Sequence, residues 1–187
     1  GSRAFAYWLA LHADRAEHHP DEAERKASHD LLALLTPVVK AFLTDNGFLC
    51  ANLAMQVYGG HGYIRDNGME QFVRDARINM IYEGTNTIQS LDLLGRKVLG
   101  DAGAKLRRFG ALINELVEAE GTREAMAEFI NPLADLGQKV EKLTMEIGMK
   151  ALQNPDEAGA AAVDYLRVIG HLVMSYFWAR IARIALH

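Results

Sequence analysis

The sequence lacks the residues that several classes of protein require. Cys50 is the single cysteine among 187 residues, which excludes a disulfide framework and a cysteine-rich metal site and agrees with a reducing compartment. The net charge is −4 and no basic run of five or six residues occurs, so nothing indicates nucleic-acid binding. No uninterrupted apolar stretch reaches the roughly 18–20 residues that cross a bilayer, and no signal peptide is visible. We therefore expect no transmembrane segment.

The bulk composition is that of a globular chain. Half of the residues are apolar and 24% are charged, which is typical of one domain or of one domain with an appended one. Gly1-Ser2 is typical of a tag-cleavage scar, and an amphipathic pattern begins directly after it. We therefore expect an excised C-terminal piece of a longer protein.

Apolar residues recur at helical spacing through the first half of the chain. A long pattern should contain a kink or short break before Pro37 and should stop at Gly59-Gly60. Its apolar positions are Leu31, Leu35, Val38, Phe42, Leu49 and Leu53. A further helix should span residues 69–81. No convincing alternation of period two occurs anywhere, so the sequence predicts an all-α fold.

The second half has a more regular pattern and no clustered polar motif. Steps of three and four connect Met126, Phe129, Leu133, Leu136, Val140, Leu143 and Ile147. Asn131-Pro132 is either a kink or a fresh helix start, and residues 154–156 form a turn. We predict a helical bundle over residues 3–100, then a helical hairpin or bundle over 101–187. The apolar stripe suits an intramolecular bundle or a partner helix.

The candidate catalytic residue is Glu83, within the stretch IYEGTNTIQ at 81–89. Gly84 interrupts the preceding helix and Thr85 can cap the next one, so this carboxylate should lie at a helix junction. A carboxylate there either performs chemistry or serves as a cap or ion-pair partner.

A glycine-rich segment, QVYGGHGY at 56–63, is the second candidate site. Glycine pairs at a helix end are usually C-caps, but four glycines in ten residues also suit backbone exposed to a phosphate or ribose. Adjacent His18-His19 could suggest a metal, although a solvated helix end explains them better and we predict no metal site. His12 and His171 should lie in the core or half-buried.

Residues 52–97 resemble the C-terminal helical domain of the acyl-CoA dehydrogenases. Three motifs carry the resemblance in the family's order and spacing: QVYGGHGY, FVRDARI and IYEGTNTIQ. The match extends more loosely through residues 3–51. Residues 101–187 resemble, in position and helicity, the extra helical region of a subset of long, mostly bacterial members.

The resemblance implies a function and a set of site residues. Family enzymes remove a proton from the carbon alpha to a thioester and pass a hydride from the beta carbon to FAD, which gives a 2-enoyl-CoA. Glu83 would be the base, and Tyr82 and Gly84 would contact the acyl-CoA substrate. The FAD-binding positions would be Gln56, Gly59, Gly60, Thr85, Asn86 and Thr87.

The resemblance also implies partners and a setting. We expect fatty-acid beta-oxidation in the bacterial cytoplasm, a homodimer or homotetramer, and an electron-transfer flavoprotein as acceptor. The family's N-terminal helical domain and middle β-domain are missing from this sequence, so the chain alone should bind FAD weakly and not turn over. The alternatives are a non-dehydrogenating flavoprotein homologue, such as a nucleic-acid-associated or oxygen-using relative, and a helical oligomerisation or interaction module.

Overall fold

Residues 1–186 fold into eight α-helices joined by short turns and short 3-10 or π-helical stretches. The computed structural model describes residues 1–186, and within that range there are helices and turns but no β-strand. The helices are α1 (Ser2–His18), α2 (Glu22–Val57), α3 (Gly60–Tyr63), α4 (Met69–Ile78), α5 (Asn86–Leu91), α6 (Ala104–Glu120), α7 (Ala127–Gln153) and α8 (Asp156–Ala185). A π-helical stretch, Asp92–Val98, continues α5. The predicted all-α fold is confirmed.

Helix α2 is the central element of the first half. Asp21 caps it, because its side chain accepts a hydrogen bond from the Ala23 amide at 2.8 Å. The helix continues through buried Pro37, so the predicted break at this proline is absent. It ends at Val57, at the glycine pair where the sequence predicted a stop. At 36 residues, α2 is about 54 Å long and extends from the core to the glycine-rich segment.

The core lies where α1, α2 and α8 meet. Phe5 of α1 lies 5.5 Å from the ring of Phe177 of α8, and Trp8 contacts the same ring edge to face. Gly170 of α8 lies against the ring of Phe42 of α2, where a methyl group would come within 2.1 Å of a ring carbon. Helices from both predicted parts of the chain therefore contribute to one buried cluster.

Helices α7 and α8 form an antiparallel hairpin across the predicted turn at residues 154–156. Pro132 lies inside α7, so it does not start a new helix. The apolar stripe of α7 is used within the chain, since Leu133 and Val140 are buried. The Tyr165 hydroxyl pairs with Thr144 Oγ1 at 2.8 Å, and burial raises the pKa of Tyr165 to about 12.

Two histidines differ in their surroundings. His12 is buried, and its Nδ1 lies 3.0 Å from the Ser28 hydroxyl, which joins α1 to α2. Burial, assisted by the charge of Arg15, lowers the pKa of His12 below its ordinary value. His171 is exposed and packs edge to face on Phe42, so the prediction of a core position for His171 is wrong.

Helix α2 also bears on the prediction that no segment spans a membrane. Among residues 1–186, it is the one helix that contains an 18-residue window long and apolar enough to do so, with a mean hydropathy of 1.2. Length and composition alone therefore admit α2, contrary to the reading of the sequence. Of that window, 39% is buried inside the protein, and core helices of soluble proteins pass the same test.

Candidate active site

Glu83 lies at the apex of a loop between α4 and α5. Helix α4 ends at Ile78, three residues earlier than predicted, because the Ile81 and Tyr82 amides both donate to the Ile78 carbonyl and close a turn. The Asn86 amide then donates to the Met80 carbonyl at 3.2 Å, which closes the loop at its base. The predicted helix junction is therefore present.

The backbone of this loop adopts an unusual conformation. Glu83 has a φ of +55° and Gly84 a φ of +82°, so two successive residues are left-handed. Glycine adopts this region readily, whereas another residue is disfavoured there by about 1–2 kcal/mol. Conformations of this kind concentrate at functional sites, because the surrounding structure must hold them in place.

The Glu83 side chain is exposed, and no partner for it is found in the part of the chain that the structure describes. Among residues 1–186, its carboxylate takes part in no ion pair and accepts no hydrogen bond. The alternative role as a helix cap or ion-pair partner is therefore not observed. Thr85 caps α5 instead, as predicted, since its hydroxyl accepts from the Ile88 amide at 3.5 Å.

A polar cluster on α2 holds the loop from one side. Lys40 Nζ donates to the Gly84 carbonyl oxygen at 2.7 Å and to Asn86 Oδ1 at 2.8 Å. The side-chain nitrogen of Asn86, Nδ2, lies 2.6 Å from an oxygen of Asp45 and 3.0 Å from the Thr44 hydroxyl. We call Lys40, Thr44, Asp45 and Asn86 the loop clamp.

The loop clamp contains two groups of opposite charge, Lys40 and Asp45. Burial lowers the pKa of Lys40 below its ordinary value, and the negative charge of Asp45 opposes that shift. Opposite charges thus lie on either side of the neutral Asn86 amide. The side chain of Asn86, one of the predicted FAD contacts, is engaged with α2, whereas Thr85 and Thr87 are exposed.

Gln89 holds the loop from the other side. Its Nε2 donates to the Glu83 carbonyl oxygen at 3.1 Å. The left-handed backbone favours glycine at position 84, and a Cβ there would come within 2.9 Å of the same nitrogen and displace the end of the Gln89 side chain. The carbonyl oxygens of Glu83 and Gly84 therefore both accept hydrogen bonds from side chains.

The glycine-rich segment follows α2 directly and exposes its backbone. Gly59 has a φ of +59°, and a Cβ at Gly59 or Gly60 would meet no atom within 4 Å. Gln56 is exposed on the last turn of α2. Gly62 differs, because it is buried and a Cβ there would lie 2.3 Å from the Met55 carbonyl oxygen. The open side of the segment can thus bind a ligand, while Gly62 serves its packing.

Helix α4 separates the two candidate sites. Its ten residues span about 15 Å, with the glycine-rich segment before its start and Glu83 beyond its end. Exposed apolar side chains surround both sites, a feature that marks a binding surface for ligands, domains or subunits. They include Leu53, Val57, Tyr58, Tyr63, Ile64, Phe72, Ile78, Ile81, Tyr82 and Ile88.

Sequence reasoning missed the α2 residues of the loop clamp and the packing role of Gly62. Lys40 and Thr44 occupy one face of α2 four residues apart, which identifies a polar stripe but not what it binds. Their partner Asn86 is more than 40 residues away in sequence. No group of three or more potential metal ligands occurs within residues 1–186, and the predicted absence of a metal stays a prediction.

Two family models together match most of the chain. One is described as acyl-CoA dehydrogenase, C-terminal domain, and matches residues 4–99. The other is described as acetyl-CoA dehydrogenase C-terminal like and matches residues 109–187. The first model includes both the glycine-rich segment and the Glu83 loop.

Individual proteins give a concordant result. The chain is 38% identical over 181 residues to 3-methylmercaptopropionyl-CoA dehydrogenase of Ruegeria pomeroyi, covering 94% of this chain and 30% of that enzyme. It is 30% identical over 159 residues to the broad-specificity linear acyl-CoA dehydrogenase FadE5 of Mycobacterium tuberculosis, covering 81% of this chain and 26% of that enzyme. The chain thus spans less than a third of the length of these relatives.

A solved structure has the same fold. Caenorhabditis elegans ACDH-11, in a crystal structure of its complex with C11-CoA, superposes on 95% of this chain with a TM-score of 0.77. The matched region is 30% of that protein, and the sequences are 21% identical, so this likeness concerns the fold alone.

Proposed function

The chain belongs to the acyl-CoA dehydrogenase family, and on that premise we propose that it supplies the catalytic base of an enzyme that oxidises acyl-CoA to 2-enoyl-CoA. The observation that carries the proposal is the Glu83 carboxylate, which is exposed and unpartnered within the described chain. It also lies on a left-handed loop, in which the carbonyl oxygens of Glu83 and Gly84 accept hydrogen bonds from Gln89 and Lys40. Such a side chain is free to meet a substrate, while its backbone is held in place.

In this proposal Glu83 removes the proton alpha to the thioester carbonyl. That C–H bond is a weak acid, and a carboxylate enclosed by an apolar acyl chain becomes a stronger base than one in water. Gly84 and exposed Tyr82 would contact the acyl-CoA, and Tyr82 would contribute to the wall of the acyl pocket. The electron pair left at the alpha carbon forms the new double bond as the beta hydride leaves.

The residues of this chain suit FAD as the hydride acceptor. Gly59 and Gly60 expose backbone with open space around them, which suits the phosphate or ribose of a nucleotide. Gln56, Thr85 and Thr87 add exposed polar side chains, and Asn86 orders the start of α5 from behind. When bound, FAD would take up the hydride that leaves the beta carbon. The rest of its site would lie in parts of the protein outside this chain.

The exposed apolar surface around the two candidate sites supports a larger assembly. We propose that other domains of a longer polypeptide, and a second subunit of a homodimer or homotetramer, cover it. An electron-transfer flavoprotein is the proposed electron acceptor, and the bacterial cytoplasm is the proposed location. Fatty-acid beta-oxidation is the proposed process.

The test is substitution of Glu83 in the full-length protein. Glu83→Gln keeps the size of the side chain and removes the base, so flavin bleaching by acyl-CoA should slow by about 10²–10⁴-fold while FAD stays bound. Glu141→Gln is the matched control, because Glu141 is an exposed glutamate on α7 far from the loop in sequence. Near-normal bleaching by Glu83→Gln would show that another group is the base.

The same preparation tests the alternative of a non-dehydrogenating homologue. Full-length protein should reduce an artificial electron acceptor in the presence of a straight-chain acyl-CoA. A flavin that stays oxidised with acyl-CoAs of every length would favour the alternative.

A further inference from the structure

We propose that Lys40 is a positioning residue for Glu83 and acts through the loop clamp. This inference rests on the proposed function, because it assigns to Lys40 the placement of the proposed base. Lys40 lies on α2, 43 positions before Glu83, and none of the motifs that identify the family contains it. It reaches the loop from α2 through hydrogen bonds to Gly84 and Asn86, whereas the Glu83 side chain is exposed.

The first step is that Lys40 ties the loop at two points. Its ammonium donates to the Gly84 carbonyl oxygen at 2.7 Å and to the Asn86 side-chain oxygen at 2.8 Å. The first bond fixes the peptide unit that immediately follows Glu83–Gly84. The second fixes the first residue of α5. One side chain therefore sets the distance between the end of the left-handed pair and the start of the helix.

The second step is that the loop needs such a restraint. Glu83 favours a negative φ, and Gly84 adopts either hand readily, so the pair can relax to other conformations when it is not held. Gln89 holds the carbonyl before Gly84 and Lys40 holds the carbonyl after it. Loss of either hydrogen bond would let the backbone at Gly84, next to the base, rotate to another conformation.

The third step is that the clamp stands on a rigid support. Helix α2 is anchored in the core at the level of the clamp, where Val38 and Phe42 are buried. The side-chain Nδ2 of Asn86 also hydrogen-bonds to Asp45 at 2.6 Å and to the Ala41 carbonyl oxygen at 3.2 Å. A site whose supporting side chains stand on a packed helix keeps a more constant geometry than one supported by loops.

The experiment replaces Lys40 in full-length, FAD-loaded protein. Lys40→Met keeps the length of the side chain and removes its donors, so kcat for acyl-CoA oxidation should fall about 10–100-fold. KM for acyl-CoA should change less than about threefold, because substrate contacts are retained. Lys40→Arg should recover part of the loss, since it restores a positive donor. Lys26→Met, at an exposed lysine of the same helix, is the control and should behave as wild type.

A second measurement does not depend on turnover. Amide hydrogen exchange read by mass spectrometry should show faster deuterium uptake in Lys40→Met over residues 80–90. Uptake over residues 127–150 of α7 should match the wild type, which separates local release of the loop from general destabilisation. The Lys26→Met variant should show neither change.

The outcomes separate the two proposals. Wild-type kcat in Lys40→Met, or unchanged exchange over residues 80–90, overturns the assignment of Lys40 whatever Glu83 does. A wild-type protein that does not oxidise acyl-CoA refutes the proposed function instead. In that case hydrogen exchange alone decides whether Lys40 holds the loop: faster uptake confined to residues 80–90 supports it, and unchanged uptake overturns it.

Discussion

The crossing of α2 and α8 predicts that alanine at Gly170 destabilises the protein. A Cβ at this buried position would lie 2.1, 2.5 and 2.6 Å from three carbons of the Phe42 ring. Alanine is favoured over glycine inside a helix by about 1 kcal/mol. Overpacking of a core costs about 1–3 kcal/mol, and three contacts this short point to the upper part of that range.

The balance for Gly170→Ala is therefore a loss of about 1–2 kcal/mol in the free energy of unfolding. The nearest atoms include the ring carbon bonded to the Phe42 Cβ, so the ring cannot relieve the contact by moving its far edge alone. For a chain of this length, the melting temperature should fall by roughly 2–8 °C.

The assay is urea unfolding followed by circular dichroism, with Gly159→Ala as the control. Gly159 lies on the exposed side of α8 and a Cβ there meets no atom within 4 Å. That substitution should stabilise by about 0.5–1 kcal/mol, so the same change should have opposite signs at two sites of one helix. Gly170→Ala as stable as wild type would refute the packing described between α8 and Phe42.

Three other substitutions test separate parts of the structure. The pKa of buried His12 is lowered, so the unfolded chain binds its proton first as the pH falls below the ordinary histidine value. Stability should therefore decline from about pH 6.5 downward, and His12→Asn should flatten this decline in urea titrations; an unchanged slope would contradict it. Gly62→Ala should lose about 1–3 kcal/mol of stability, because its Cβ would meet a carbonyl oxygen, and should melt earlier. Gly60→Ala, with open space, should melt as wild type but bind FAD more weakly in the full-length protein.

The helices were predictable because their apolar residues repeat over several turns. The stripe of α7 and the turn at residues 154–156 are local patterns, and both appear where the sequence placed them. Of the kink or short break predicted before Pro37, the break is absent, because a proline removes one hydrogen bond while buried residues on both sides of it stabilise α2. The π-helical stretch Asp92–Val98 was also missed, since a short apolar pattern does not distinguish the two helix types.

The candidate site was predictable only in part. A glycine after Glu83 and a threonine cap are local signals, so the helix junction could be anticipated. The loop clamp could not, because it joins side chains separated by more than 40 residues and depends on how α2 passes beneath the loop. The exposure of His171 was not predicted for a similar reason, since helical spacing alone does not say which flank of α8 faces the core.

The contact between Phe5 and Phe177 also governs how the chain acquires its structure during synthesis. These rings lie 5.5 Å apart, yet 172 positions separate them in the sequence. At about 5–20 residues per second, α1 waits roughly 10–35 seconds on the ribosome before its partner on α8 is made. During that interval the apolar faces of α1 and α2 have no cover from α8. The nascent chain should therefore be a chaperone client until α8 emerges.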